Sequence, residues 1–377
     1  MPQGSRFVWL AALTFVVSAC SWFGGGDKKM SPLTEYQATA KAQIQWQRSV
    51  GKYSPIGFAP LLQNGVVYSA AVNGQVAAID AASGKELWRT AIKDELSAGV
   101  GGGNGGVLIG TRKGEVVYLD SAGKQKWRSQ VSSDILVAPQ AAGDVVVVRT
   151  VDGRMVGLNE SDGKRRWLQQ RTNPPLVLRN LGPVTVENAL IYAGMPGGRL
   201  MATNAGDGSL AWETLVSQPR GATELERIAD VASAPLLDGE RVCAVSYQGR
   251  LACFDSEKGN LDWYRDASSA TGLAKDERAI FTADANGVVI AFLKTGGTVL
   301  WKQEKLKGRK LSGPAVSGNY VVVGDVEGFV HLLSRETGEL AARVATDKSP
   351  ILAAPLANER GVLVQTEKGN LYAVAIQ

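Results

Sequence analysis

The feature that most constrains the fold of this chain is a short unit that recurs along most of its length. In each copy a glycine begins an apolar stretch, a polar turn with a second glycine follows, and a final segment carries a tryptophan. The first copy reads GQVAAIDAASGKELW. Its tryptophan recurs at intervals of 39, 40, 45, 51 and 38 residues, at Trp88, Trp127, Trp167, Trp212, Trp263 and Trp301. A seventh copy, GFVHLLSRETGELAA, has Ala342 in the tryptophan position. A period near 40 residues with several short strands per copy is typical of a β-propeller.

An eighth copy is divided between the two ends of the chain. The C-terminal stretch GNLYAVAIQ (369–377) begins the unit and stops before its final strand, whereas IQWQRSVG (44–51) is a final strand without a beginning. Joining the two closes the ring and removes open sheet edges. The sequence therefore predicts an all-β, eight-bladed β-propeller of four-stranded blades over residues 44–377, closed by an N-terminal outer strand that completes the C-terminal blade.

Within a copy, the segments APLL, GVVYSAA, GQVAAID and KELWRT predict four strands from the axis outward, separated by turns such as VNGQ. Small residues paired with proline suit an inner strand beside a narrow axis. Such pairs recur at Ala59-Pro60, Ala138-Pro139, Ala234-Pro235, Gly313-Pro314 and Ala354-Pro355. We expect the tryptophans to lie at the periphery and to pack between neighbouring blades.

The N-terminal residues have the pattern of a secreted lipoprotein. Arg6 is followed by the apolar run FVWLAALTFVV and then by VSAC (17–20), in which small residues precede Cys20. This pattern predicts a lipoprotein signal peptide at 1–19, acylation at Cys20 and a flexible tether over 20–43. The alternative is an ordinary signal peptide that includes a cysteine. Ser21 after the cysteine indicates the outer membrane, so the lipid at Cys20 makes the membrane a predicted partner.

Few residues of the chain suit catalysis. The net charge is +5, with lysine and arginine spread evenly, and no basic stripe predicts a nucleic-acid partner. His331 is the single histidine, which cannot build a metal site and is expected to be a packing or surface residue. No calcium loop, phosphate-binding loop or Ser/His/Asp arrangement is found. We therefore expect no catalysis, no cofactor and no small-molecule substrate.

Cys243 and Cys253 flank the predicted hairpin CAVSYQGRLAC, in a compartment that permits disulfides. A two-residue turn at Gln248-Gly249 would pair Cys243 with Phe254 and place the thiols on opposite faces, whereas a longer turn could align them. Both possibilities remain open from the sequence.

Two connections between blades are longer than the others, because the tryptophan spacing rises to 45 and then to 51 residues. Both follow an outer strand, so both should emerge on the same rim, and insertions on one face often mark a binding face. In the first, Leu176 and Leu178 are two apart beside Arg179 and would form one apolar ridge in an extended segment. In the second, TELERIADV (223–231) has a capping-box spacing before Asp230. Alternatively, the segments merely cover the rim, and Arg179 pairs with Asp230 inside the chain.

The unit AIDAASGKELW resembles the tryptophan-docking repeat of pyrroloquinoline-quinone (PQQ) enzymes, which are eight-bladed propellers. Those enzymes also need a stacking floor, a calcium site and commonly an adjacent cysteine pair. The cysteines here are at positions 20, 243 and 253, none adjacent. A PQQ-dependent dehydrogenase is therefore the alternative function, and a binder of cell-envelope polysaccharide is a third.

A second resemblance covers the mature chain. The lipobox, the tether and the eight repeats resemble the BamB family, the propeller lipoproteins of the outer-membrane β-barrel assembly machinery. NPPLVLRNLGPV (173–184), GATELERIADVASAP (221–235) and VVGDVEGFVHLL (322–333) are similar to segments of that family.

The BamB resemblance implies a non-catalytic scaffold that docks on the periplasmic POTRA domains of the barrel-inserting subunit, BamA. It also implies partner-binding roles for Leu176, Leu178, Arg179 and Asp230. The family pattern has a second acidic residue two positions after Asp230, where this chain has Ala232.

Overall fold

The computed structural model describes Met1 and residues 30–52, 58–178 and 182–377. These residues form eight four-stranded antiparallel sheets arranged as a β-propeller, which confirms the predicted fold. The eighth sheet has the order β1-β32-β31-β30, so the N-terminal strand completes the C-terminal blade as expected. The described residues contain no helix, and hence none long and apolar enough to cross a membrane.

Each blade runs from a short inner strand to an outer strand with exposed side chains. In blades 1 to 4 the strands are β2 (Leu61–Gln63), β3 (Val66–Ala70), β4 (Gln75–Asp80), β5 (Glu86–Ala91); β6 (Leu96–Gly103), β7 (Gly106–Thr111), β8 (Glu115–Asp120), β9 (Gln125–Gln130); β10 (Gln140–Ala142), β11 (Val145–Arg149), β12 (Arg154–Asn159), β13 (Arg165–Gln170); β14 (Thr185–Glu187), β15 (Leu190–Met195), β16 (Arg199–Asn204), β17 (Leu210–Leu215). In blades 5 to 8 they are β18 (Leu236–Asp238), β19 (Arg241–Val245), β20 (Arg250–Asp255), β21 (Leu261–Asp266); β22 (Leu273–Lys275), β23 (Ala279–Ala283), β24 (Val289–Leu293), β25 (Val299–Gln303); β26 (Ala315–Ser317), β27 (Tyr320–Gly324), β28 (Phe329–Ser334), β29 (Leu340–Ala345); β30 (Leu356–Asn358), β31 (Gly361–Gln365), β32 (Asn370–Ile376), β1 (Ala42–Ser49).

The tryptophans join consecutive blades, as predicted. The indole of Trp167 in blade 3 donates to the carbonyl of Ala205 in blade 4 at 2.8 Å. A Cβ on Gly208 of that same turn would lie 2.6 Å from the indole, so only glycine lets the ring lie flat on the turn. The same indole-to-carbonyl bond to the next blade is made by Trp46, Trp88, Trp127, Trp212, Trp263 and Trp301.

The missing tryptophan of blade 7 has a structural reason. A tryptophan there would dock on the turn between the third and fourth strands of blade 8, but those strands are the two ends of the chain. The turn does not exist, and Ala342 is buried in the core cluster that includes Ala40 and Ala42 instead. The amides of Thr39 and Ala40 donate to the carbonyl of Ala341. The N-terminal segment therefore fills the place that a tryptophan contact takes elsewhere.

The N-terminal boundary of the propeller differs slightly from the prediction. Strand β1 begins at Ala42, which pairs with Ile376, and not at residue 44. Residues 30–41, predicted as part of the tether, lie along blade 7, where the Arg343 guanidinium donates to the Thr34 carbonyl at 3.2 Å and stacks on Tyr36. Cys20 and the rest of the predicted tether lie outside the described residues.

The predicted inner strands begin later than expected. Each small residue–proline pair directly precedes a three-residue strand, as Ala138-Pro139 precedes β10, because proline has no N–H to donate to the ladder. Close packing at the axis is visible in blade 2, where a Cβ on Gly101 would lie 1.6 Å from the Pro139 carbonyl.

Candidate protein-docking rim

The two longest connections between blades are 171–184, which joins β13 to β14, and 216–235, which joins β17 to β18. Strands alternate in direction within a blade, so every connection from an outer strand to the next inner strand emerges on one rim of the disc. That rim also carries the turns between the second and third strands. We call the part of it formed by 171–178, 182–184 and 216–235 the insertion rim. Its position agrees with the prediction from the tryptophan spacing.

The first insertion presents its two leucines unequally. Leu176 is 43% exposed, whereas Leu178 is half-buried. The chain bends at residues 175 and 176, and the amide of Leu178 is held by the carboxylate of Asp230 at 2.6 Å. The expected ridge of two equivalent leucines is therefore reduced to one prominent side chain, Leu176. Arg179 lies outside the described residues.

Asp230 lies beneath the rim surface. Only 4% of it is exposed, and its second carboxylate oxygen accepts the amide of Gly197, in the turn between β15 and β16, at 2.8 Å. Asp230 belongs to the second insertion, and its carboxylate thus links the first insertion to blade 4 through hydrogen bonds. Ala232, at the position of the family's second acidic residue, is also buried. In this arrangement Asp230 shapes the rim from below.

The second insertion contains the predicted capping box but no helix. The Thr223 hydroxyl accepts the Glu226 amide at 3.3 Å, and the Glu226 carboxylate accepts the amides of Thr223 and Ala222 at 3.1 and 2.8 Å. These bonds close a single turn, on which Leu225 is 66% exposed. Leu225 was not singled out from the sequence. It could have been recognised in the sequence as an apolar residue between the two capping residues of an otherwise polar segment.

A buried cation, Arg149, links the C-terminal part of the first insertion to blade 4. Arg149, at the end of β11, is 5% exposed and donates to the carbonyls of Gly182 and Gly194 at 2.5 and 2.8 Å. Burial lowers its pKa to about 10, because desolvation disfavours the charged guanidinium. Arg149 was not singled out from the sequence either, although a lone arginine directly after four valines is unusual at the end of a buried strand. Arg149 and Asp230 together hold the rim in shape.

The described residues include the histidine and two of the cysteines singled out from the sequence. No three His, Cys, Asp or Glu side chains among them are placed to hold a metal ion. His331 is fully buried, so of its two expected roles, packing or surface, it has the packing role. Its Nδ1 accepts from Arg343 at 3.2 Å, and its Nε2 therefore donates to Asp325 at 2.8 Å. Cys243 and Cys253 pair across β19 and β20 and form a disulfide, because the turn between these strands spans residues 246–249 and not two residues.

The family model described as "Outer membrane protein assembly factor BamB" matches residues 72–303 and 285–377, which include both insertions. This chain belongs to the BamB family. An outer membrane protein assembly factor BamB of Bordetella pertussis (strain Tohama I) is 41% identical over 361 residues, which cover 95% of this chain and 94% of the relative. Relatives in the BamB family are named as outer membrane protein assembly factors and not as enzymes.

Solved structures agree with the BamB assignment. The crystal structure of BamB from Moraxella catarrhalis is similar with a TM-score of 0.82 and 25% identity, over 89% of this chain and all of that one. A quinohemoprotein alcohol dehydrogenase from Comamonas testosteroni is similar with a TM-score of 0.70 at 13% identity, over 89% of this chain and 76% of that one. The second likeness is one of fold alone.

Proposed function

We propose that this BamB-family chain is a non-catalytic scaffold of the outer-membrane β-barrel assembly machinery. In this proposal the insertion rim docks on the periplasmic POTRA domains of the barrel-inserting subunit BamA and so assists the insertion of barrel proteins. An acyl group on Cys20 anchors the chain to the periplasmic face of the outer membrane.

The observation that carries this proposal is an exposed apolar side chain on a rim whose conformation is fixed by hydrogen bonds within the chain. Leu176 projects from a segment whose neighbouring amide, that of Leu178, is bound by the buried Asp230. Leu225 projects from the second insertion, on a turn closed by its capping box. A preformed surface loses little conformational entropy on binding, so its apolar contacts contribute more of their free energy to affinity.

The proposal is tested by the affinity of the purified propeller for the purified POTRA domains of BamA. Leu176→Glu places a charge in the centre of the proposed interface. It should weaken binding by about 30-fold or more, the effect of losing an interface hot spot. Leu210→Glu is the matched control, since Leu210 is 46% exposed but lies on the outer strand of blade 4.

Thermal melting must show that both variants are folded. A folded Leu176→Glu variant that binds like the wild type would remove the insertion rim as the docking surface. A triple variant with alanine at Leu176, Leu178 and Arg179 extends the test to the residues that the family resemblance implies.

A further inference from the structure

A groove of about 480 Å³ lies next to Leu176, between the first insertion and blade 4. One wall is formed by Arg171, Asn173 and Pro174 of the insertion, and the facing wall includes Pro196 in the turn after β15 and Arg199 at the start of β16. Leu176 follows Pro174 by two residues, so the two Cα atoms lie within about 7 Å of each other and the groove is within reach of a partner segment that packs on Leu176.

The groove holds more guanidinium donors than carboxylate acceptors. Nη1 of Arg171 and Nη1 of Arg199 lie 3.0 and 2.7 Å from the two oxygens of a single carboxylate, that of Glu213. The side chains of Arg171 and Arg199 are 38% and 53% exposed, whereas that of Glu213 is 20% exposed. Each guanidinium has five donor hydrogens. The shared carboxylate and the sulfur of Met201, which accepts from Nη2 of Arg171 at 3.5 Å, therefore leave further donors on both arginines, and both arginines line the groove.

A buried positive charge lies beside the groove. Arg149 borders a small cavity of about 20 Å³ that Arg171 also lines. The guanidinium of Arg149 donates to the carbonyls of Gly182 and Gly194 and to the sulfur of Met195, and none of these neutralises its charge. In the low-dielectric interior, that charge offsets the buried carboxylate of Asp230, which accepts the amide of Gly197 in the groove wall, so the positive charge of Arg171 and Arg199 is opposed mainly by Glu213.

The choice of basic residue in the two insertions and the blade between them points in the same direction. The stretch from residue 171 to residue 235 contains five arginines, Arg171, Arg179, Arg199, Arg220 and Arg227, and no lysine, although the whole sequence contains 19 lysines among its 41 basic residues. Arginine presents a planar fork that binds carboxylates through two parallel hydrogen bonds and keeps its charge when desolvated. Lysine offers neither property.

We infer that this groove binds an aspartate or glutamate side chain of the docking partner. The partner carboxylate is held by Arg171 and Arg199 in competition with Glu213, while an apolar residue beside it packs on Leu176. The apolar parts of the walls, Pro174 and Pro196, favour such a protein segment over a strongly hydrated anion. This inference rests on the proposed docking function and names the chemistry of the partner.

Because Glu213 competes with the partner carboxylate, two sets of substitutions should change the affinity for the POTRA domains in opposite directions. Glu213→Gln removes the internal carboxylate, so affinity for the POTRA domains should rise several-fold. Replacing both Arg171 and Arg199 with glutamine should lower affinity by about 30-fold or more, the usual result when one partner of a buried charge pair is truncated. The affinity of that double variant should also depend less on salt concentration.

The matched control is Arg112→Gln. Arg112 lies on the same rim in blade 2, is 45% exposed and is paired with a carboxylate, that of Glu95, at 3.1 Å. Its replacement should leave the affinity unchanged. If the double arginine variant does not fold, Arg199→Gln alone carries the test, since Arg171 then keeps its pair with Glu213.

The outcomes separate this inference from the proposed function. Unchanged affinity in both Glu213→Gln and the arginine variants, with binding lost in Leu176→Glu, would overturn carboxylate binding and leave the docking rim standing. Weaker binding in Glu213→Gln would show that the three side chains act only as an internal salt bridge. A wild-type propeller that does not bind the POTRA domains would overturn both.

Discussion

Replacing Asp230 tests whether this residue acts by shaping the rim. Its buried carboxylate accepts the amides of Leu178 and Gly197, and Asp230→Ala leaves both N–H groups without an acceptor. A hydrogen bond to a charged group contributes about 1.5–3 kcal/mol. Because Leu178 is only half-buried, water can reach its amide in part, so we expect a total loss of about 3–5 kcal/mol in the free energy of unfolding.

The expected loss can be measured in two ways. The propeller from Ala42 to Ile376 has an unfolding entropy of roughly 0.7 kcal/mol/K, so a loss of about 4 kcal/mol lowers Tm by about 6 °C. Hydrogen exchange reports the local effect. The amides of Leu178 and Gly197 should exchange about tenfold to 150-fold faster, as expected if each loses one such bond. Affinity for the POTRA domains should fall as well, because Leu176 is then no longer held in place.

Asp94→Ala is the control for a carboxylate elsewhere on the same rim. Asp94 accepts from Lys113 and Arg128, far from the insertions in sequence, and its loss should leave the exchange of Leu178 unchanged. The reasoning would be refuted by an Asp230→Ala variant that exchanges at Leu178 and Gly197 like the wild type but does not bind the partner. In that case Asp230 would contact the partner directly.

Two further outcomes follow from the packing between blades and from the buried histidine. Gly208→Ala should lower the free energy of unfolding by about 2–4 kcal/mol, because Gly208 has a φ of +73° and the new Cβ would lie 2.6 Å from the Trp167 ring. Gly206→Ala in the same turn meets no atom within 4 Å and should change Tm by less than about 1 °C; equal Tm values for the two variants would contradict the docking geometry. Burial lowers the pKa of His331 below its ordinary 6.5. The positive charges of Arg343 and Arg309 lower this pKa further, whereas Asp325 opposes the decrease. The unfolded chain then binds the proton more readily, so the stability that the neutral ring contributes is present above pH 6.5 and is lost as the pH falls below it. Thermal melting from about pH 7.5 to about pH 5 should show this loss in the wild type and a flatter profile in His331→Gln; identical slopes would contradict it.

The candidate site was predictable in position but not in detail. Blade-to-blade spacing located both insertions, because every regular repeat returns the chain to the same rim and additional residues must emerge there. The family resemblance supplied Leu176 and Asp230, yet the sequence could not show that one is exposed and the other buried. Their difference depends on the bend at residues 175 and 176 and on two amides that reach Asp230 from other parts of the chain.

The sequence by itself determined the number of blades, the four strands of each and the way the ring closes. These follow from a local pattern that repeats: glycine turns, alternating apolar residues and one tryptophan per blade. Even the missing tryptophan at Ala342 belongs to that pattern, since no turn exists in blade 8 to receive it. Only the tertiary structure decided what the insertions present to a partner. Leu225 projects, Arg149 supports the rim from within, and Arg171 and Arg199 share the carboxylate of Glu213. Those relations join residues far apart in the chain through burial and hydrogen bonding, and no repeat specifies them.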